Sequence, residues 1–259
     1  MTTVAVKNQA KRLSFSERHL QVELVEEVED YWITERTVVV NPSMKKVIID
    51  HYPEKSIMPL SSTILTGIGI KSADSLVLVR VIEPENLGAI ISKPGWQLYE
   101  NIVTPEHVNH NNVTCTNRTS LPKDTPLWRS SQDNIGMVKF DPYFITGQSN
   151  ASKEVKKFLV KVNLWFATAN TDCFIHNTHN FIEVHTQIYG HGRMQKFKER
   201  DAGAIYEDIP MGEGYTTPTP FCSITDDYKL VYPWHRYYAD TDCLWLAIEY
   251  HFDNNDDQS

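Results

Sequence analysis

Three stretches of this chain alternate apolar and polar residues with a period of two, and that periodicity restricts its fold more than any other feature. In KKFLVKVNLWFATA, Phe158, Val160, Val162, Leu164 and Phe166 fall on one side of an extended chain and are all apolar. In FIEVHTQIY, Ile182, Val184, Thr186 and Ile188 make one face, while Phe181, Glu183, His185, Gln187 and Tyr189 project from the other. DCLWLAIEYHF repeats the pattern, with Leu244, Leu246 and Ile248 opposite Trp245, Ala247, Glu249 and His251. RTVVVNPSMKKVIID reads as two short strands around the Asn41-Pro42-Ser43 turn, and DSLVLVRVIEP as a further strand stopped at Pro84. Helical pattern is scarce. Leu20, Leu24 and Val28 recur at four-residue spacing on an acidic background, which predicts one short helix within Ser14 to Tyr31. The expected class is all-β.

At 259 residues the chain has room for one large domain or two small ones, and its 6 Trp, 12 Tyr and 10 Phe supply a core. A formal charge of −8 argues against a nucleic-acid surface, which needs clustered Lys and Arg to replace phosphate counterions. The acidic excess sits in VELVEEVED and DNNDDQS, read as solvated faces. No run approaches the roughly 18 apolar residues of a membrane span, and MTTVAVKNQAKRLSF has no apolar h-region, so a cytoplasmic protein with no membrane partner is expected. Cys115, Cys173, Cys222 and Cys243 are scattered and read as reduced, mostly packed thiols. The sequons at Asn112, Asn117 and Asn150 read as loop polar residues. There is no phosphate-binding glycine loop, no G-x-S-x-G elbow and no H-E-x-x-H helix.

The stretch HNTHNFIEVHTQIYGHGRMQKF, from His176 to Phe197, carries the chemistry. Its polar face, with a carboxylate, an imidazole, an amide and a phenol in a row, fits either solvent or the lining of a barrel that holds a small ligand. Gly190-His191-Gly192-Arg193 is a turn and MQKF resumes a strand, so a hairpin follows. Neutral imidazoles with one carboxylate suit Fe(II), Mn(II), Ni(II) or Zn(II). Glu183 and His185 project to the same side, roughly 7 Å apart along a strand. His176 or His179 would come from the preceding segment, and His235 in YPWHRYY or His251 would complete the set. His107, His110 and His191 read as exposed loop residues. Trp234-His235-Arg236-Tyr237 is either a pocket rim or packing at a strand entrance.

These residues resemble the cupins, whose first motif is G(X)5HXH(X)3-4E(X)6G. Glu183 stands seven before Gly190, as the motif requires. His176 takes the first histidine position in the four-residue-gap register, with Thr178 in the second; in the three-residue-gap register His179 takes the second, with Asn177 in the first. The second motif, G(X)5PXG(X)2H(X)3N, is echoed by Pro210 and Gly212 in YEDIPMGEGYTTPTPF, with Tyr215 where the metal histidine should be. Alignment on Gly214 instead puts Thr217 there.

The resemblance implies a cupin-like double-stranded β-helix, a jelly-roll barrel, formed mainly by residues 151–252, with additional N-terminal strands and a short helix. Residues 1–150 are then an N-terminal elaboration or a degenerate second barrel, and 253–259 an acidic tail. A homodimer is also implied. For function it implies an enzyme acting on a small metabolite with a divalent metal (Fe, Mn, Ni or Zn) held by His176, His179, Glu183 and His185, as an oxygenase, isomerase or lyase. Two alternatives remain open. One is a metal-free isomerase, epimerase or cyclase in which Tyr215 and a histidine, His235 being the candidate, move protons while Arg193 orients an anionic substrate. The other is a non-catalytic small-ligand-binding protein.

Overall fold

The computed structural model describes residues 6–99, 125–148, 154–217 and 219–253. His107, His110, Cys115, the three sequon asparagines and most of the acidic tail lie outside the described residues.

The N-terminal sheet holds seven strands: β1 (Gln9–Arg12), β2 (Leu20–Ile33), β3 (Thr37–Asn41), β4 (Val47–Asp50), β5 (Lys55–Ile57), β6 (Ser61–Leu65) and β7 (Ile68–Val81). β2 and β7 pair along their whole length, from Leu20 opposite Val81 to Ile33 opposite Ile68. The two strands expected around Asn41-Pro42-Ser43 are β3 and β4, and each pairs with a different part of β7 rather than with the other.

The helix expected within Ser14 to Tyr31 is instead strand β2. A four-residue repeat is also a multiple of two, so Leu20 and Leu24 share a strand face as readily as a helix face. Val22, the residue between them on that face, is fully buried. Glu27 and Asp30 then adopt left-handed backbone, with φ of 51° and 50°. The ladder is interrupted at both, and the strand's apolar side changes: Leu24 packs toward the C-terminal barrel, Val25 and Val28 into a separate cluster with Val39, Ile70 and Leu78.

The remaining strands are β8 (Gln97–Leu98), β9 (Leu127–Arg129), β10 (Asp133–Phe140), β11 (Lys156–Ala167), β12 (Thr171–Asp172), β13 (Ile182–Tyr189), β14 (Gly192–Phe197), β15 (Ile205–Met211), β16 (Ser223–Ile224), β17 (Leu230–Val231), β18 (Trp234–Ala239) and β19 (Cys243–Phe252). One sheet runs β13-β19-β11-β9-β8, with β10 also on β11. The other runs β12-β18-β14-β15. On the free edge of β13 lies the segment 214–216: Gln187 donates to the Tyr215 carbonyl at 2.9 Å and Gly214 to the Gln187 carbonyl at 2.8 Å. From β11 onward the chain therefore passes back and forth between two antiparallel sheets, which is a jelly roll, the expected double-stranded β-helix. A 3-10 helix, Pro84–Ser92, and one α-helical turn, Pro142–Ile145, lie outside the sheets. Among the described residues no helix is long and apolar enough to cross a membrane.

The two faces of the β13-β19-β11 sheet have different fates. Phe158, Val162, Leu246 and Ile248 join Val22 and Val77 of the N-terminal sheet in one apolar cluster. At about 25 cal/mol per Å2, each such side chain contributes about 1.5–3 kcal/mol. The opposite face turns into the barrel. There Glu183, His185 and Gln187 are only 5%, 7% and 0% exposed, so the polar face of FIEVHTQIY is a barrel lining and not a solvent face. The turn that follows needs glycine. Gly190 has φ +74°, and a Cβ there would lie 1.9 Å from the Asp242 carbonyl oxygen. Cys173, Cys222 and Cys243 are free and buried.

Candidate metal centre

Three histidines meet at one end of the barrel interior. His176 follows β12 and forms an isolated antiparallel bridge with His235 near the start of β18. His179 lies in the connection to β13. The Nε2 of His179 stands 3.1 Å from the Nε2 of His176 and 3.1 Å from that of His235. One ligand atom from each of the three lies within 4.8 Å of the others. At metal–nitrogen distances of about 2.0–2.1 Å, neighbouring ligand nitrogens stand about 3.0–3.4 Å apart, so each of the two 3.1 Å spacings, His179 to His176 and His179 to His235, fits a pair of ligands on one ion.

The hydrogen bonds on the far side of two rings fix their tautomers. His176 Nδ1 lies 3.2 Å from the Phe174 carbonyl and His235 Nδ1 2.9 Å from the Pro233 carbonyl. A carbonyl only accepts, so both Nδ1 atoms carry the proton and both Nε2 atoms present lone pairs. A single N–H on His179 cannot fully satisfy two lone pairs in different directions. A cation can, and anchoring of the second ring nitrogen on a carbonyl is the usual support of a metal-bound imidazole.

Burial keeps these rings neutral. It pushes His176 well below the ordinary histidine value, with His235 and His179 adding to the effect. His179 is lowered by burial against the opposing pull of Glu183. His235 falls to about 3, through burial and then His179. Neutral imidazole is the form that binds metal. Glu183 behaves oppositely: burial would raise it, but the adjoining His185 outweighs burial and holds the carboxyl below its usual range. An ionised carboxylate is thereby kept beside the three rings.

The other expected residues are placed as follows. Glu183 and His185 pair with each other, Oε1 to Nε2 at 3.2 Å, next to the trio rather than within it. His251 gives its Nε2 to Glu249 at 2.8 Å, and that carboxylate also accepts from Asn163 and Gln132 at 2.7 and 2.9 Å. Met194 and Lys196 lie opposite Tyr237 and His235 in the ladder and share one face of β14, so Arg193, out of step with both, points to the outer face of the sheet. There Asp240 and Asp208 hold it at 2.8 Å. Tyr215 is 37% exposed on the segment beside Gln187. His191 is exposed in its turn. The structure thus joins His176 and His179 to His235, and leaves Arg193 and Tyr215 away from them.

Tyr232 has a supporting part that the sequence did not disclose. Its hydroxyl donates to the Phe181 carbonyl at 2.9 Å and accepts the Glu183 N–H at 3.1 Å, fastening the His179 connection to β13. Burial raises its phenol well above the ordinary value.

The chain visits the two sheets in jelly-roll order, with the histidines inside. The fold is a double-stranded β-helix of the jelly-roll type. No protein-family profile and no curated protein sequence matches this chain. Among solved structures it is similar to a cupin 2 conserved barrel domain protein from Leptotrichia buccalis, at 10% identity, 96% of this chain, 92% of that one and a TM-score of 0.28. It is also similar to a single-residue mutant of Bacillus subtilis oxalate decarboxylase, at 11% identity, 96% and 75% coverage and a TM-score of 0.32. An oxalate oxidase in complex with the substrate analogue glycolate shares 13% identity over 55% of this chain and 59% of that one, with a TM-score of 0.26. The strand order of this barrel, not these superpositions, carries the jelly-roll assignment.

Proposed function

We propose that this protein is a metal-dependent enzyme acting on a small metabolite, with His176, His179 and His235 holding a divalent ion and Glu183 as the adjacent carboxylate. The observation that carries the reading is the convergence of three Nε2 atoms, two of them forced to be lone-pair donors by carbonyls behind the rings. Three imidazoles beside a carboxylate suit Fe(II), Mn(II), Ni(II) or Zn(II). Such an ion supplies Lewis acidity and a coordination site for substrate. The chain's own residues supply the rest: burial keeps the imidazoles unprotonated, and the Tyr232 hydroxyl fixes the approach of Glu183. No specific observation favours the metal-free alternative, since Arg193 is held by two aspartates on the outer face.

The test is elemental analysis by inductively coupled plasma mass spectrometry of protein purified without a metal-binding tag, beside His235→Ala and His176→Ala variants. About one divalent ion per chain, lost in both folded variants, is expected. A wild-type protein that takes up no divalent metal even after soaking would sink the reading.

A further inference from the structure

Arg129 is a half-buried arginine to which the described residues give no acid. Arg80, Arg193 and Arg236, also half-buried, hold Glu23, Asp208 and Asp172. Arg129 makes no hydrogen bond or ion pair among the described residues: its Nε is sealed from solvent without a partner, while its two terminal nitrogens stay accessible. Strand pairing sets the position. Arg129 lies opposite Trp165 on β11 and Gln97 on β8, and Leu127, two residues earlier on the same face of β9, packs into the barrel interior. The guanidinium carbon stands 5.7 Å from the centre of the Trp165 ring.

The other charges of the inner face lie away from it. Lys161, Glu249 and Glu183 share one rung across β11, β19 and β13, four residues or roughly 13 Å along β11 from Trp165. His185 is on β13, three strands from β9. A sealed guanidinium N–H without an acceptor is costly, and the planar guanidinium is the fork that takes a carboxylate through two parallel hydrogen bonds. Trp165 Nε1, on the ring beside it, is likewise buried and unpartnered. Burial pushes the Tyr99 phenol up to about 12 against the opposing pull of Arg129, so this hydroxyl also remains a donor. An aromatic strip leads away from the guanidinium. Tyr99 meets Trp165 edge-on at 5.2 Å and stacks on Phe174 at 5.2 Å, Phe174 lies 4.9 Å from His176, and all three rings of the strip are half-buried.

We propose that Arg129 anchors the carboxylate of a small organic acid whose apolar or aromatic part lies along Trp165, Tyr99 and Phe174. The unpaired groups here, Arg129 Nε and Trp165 Nε1, only donate, so the occupant must accept, and the guanidinium charge calls for an anion. One guanidinium matches one negative charge. The aromatic strip favours an organic acid over inorganic phosphate, which has no apolar surface to bury. The strip ends at His176, which makes such an acid the substrate class of the proposed metal centre; that step rests on the metal reading, whereas the anion site rests on Arg129 alone.

Binding of cinnamate, its uncharged amide and inorganic phosphate to the full chain, measured by saturation-transfer NMR and calorimetry with and without a chelator, tests this. Cinnamate is expected to bind in both conditions, and the amide and phosphate at least tenfold more weakly. Arg129→Gln should weaken cinnamate at least tenfold with metal content unchanged. Arg129→Lys, which keeps the charge without the fork and guards against a misfolded glutamine variant, should weaken it severalfold. Equal binding of acid and amide, tighter binding of phosphate, cinnamate binding unchanged in both variants, or no binding of any probe would overturn the proposal. Cinnamate binding lost on chelation yet unchanged in the variants would put the acid on the metal and overturn it as well. Cinnamate binding that both variants weaken, in a protein that takes up no metal, would support the site and defeat only the metal reading.

Discussion

His176 and His235 hold each other by the backbone: each donates its N–H to the other's carbonyl, at 3.0 and 2.9 Å. This bridge brings two rings from strands on one sheet into register, and His179 needs only a short connection to reach both. The geometry of the centre is therefore set by β-pairing and not by a local motif.

The first prediction concerns acid. Each of the three imidazoles has a lower pKa folded than its ordinary value of 6.5, so the unfolded chain takes up protons first as the pH falls. Stability from this source is full above 6.5 and is lost on acidification, for His235 down to about 3. Each ring removes up to about 1.4 kcal/mol per pH unit. Urea denaturation of chelator-treated protein should show a marked loss of stability between about pH 7 and pH 5. A flat profile across that interval would mean the rings are not neutral in the fold.

Glu183→Gln keeps the shape of the side chain and removes its charge. Metal should remain bound through the three histidines with an affinity reduced by about 10–100-fold, the range seen for groups that support ligands. Competition against a chelator of known affinity measures this. Unchanged affinity would show that the carboxylate does not act on the ion.

Tyr232→Phe strands two buried backbone groups, the Phe181 carbonyl and the Glu183 N–H. A loss of about 1–3 kcal/mol in chemical denaturation is expected. The same variant should bind metal more weakly than wild type, because the His179 connection loses its tie to β13. Normal metal affinity in a destabilised variant would confine Tyr232 to a structural part.

Gly190→Ala should be among the most damaging single changes in the chain. Its φ of +74° disfavours a side chain, and the added carbon would meet the Asp242 carbonyl at 1.9 Å. A destabilisation of more than about 4 kcal/mol, or failure to fold, is expected. Thermal melts showing near-wild-type stability would contradict the tight approach of the β13-β14 turn to Asp242.

The sequence by itself determined the strands whose side chains alternate. FIEVHTQIY, KKFLVKVNLWFATA and DCLWLAIEYHF form β13, β11 and β19 because one face of each is apolar, with Thr186 the single polar member in β13, and the Gly190 turn was legible because few residues other than glycine suit such a bend. The acidic stretch Ser14 to Tyr31 was not legible, since a repeat of four fits both a helix and a strand, and only pairing with β7 chose. Whether the Glu183 face met water or a barrel interior was also beyond the pattern: a polar row looks the same in both, and the opposing sheet decides. The histidine cluster divides the same way. His176 and His179 stood out as a local cluster, but the partner that completes them is His235, 56 residues after His179, brought in by the bridge between its strand and His176. Sequence periodicity reports which face of a strand is apolar; which faces meet is a property of the closed barrel.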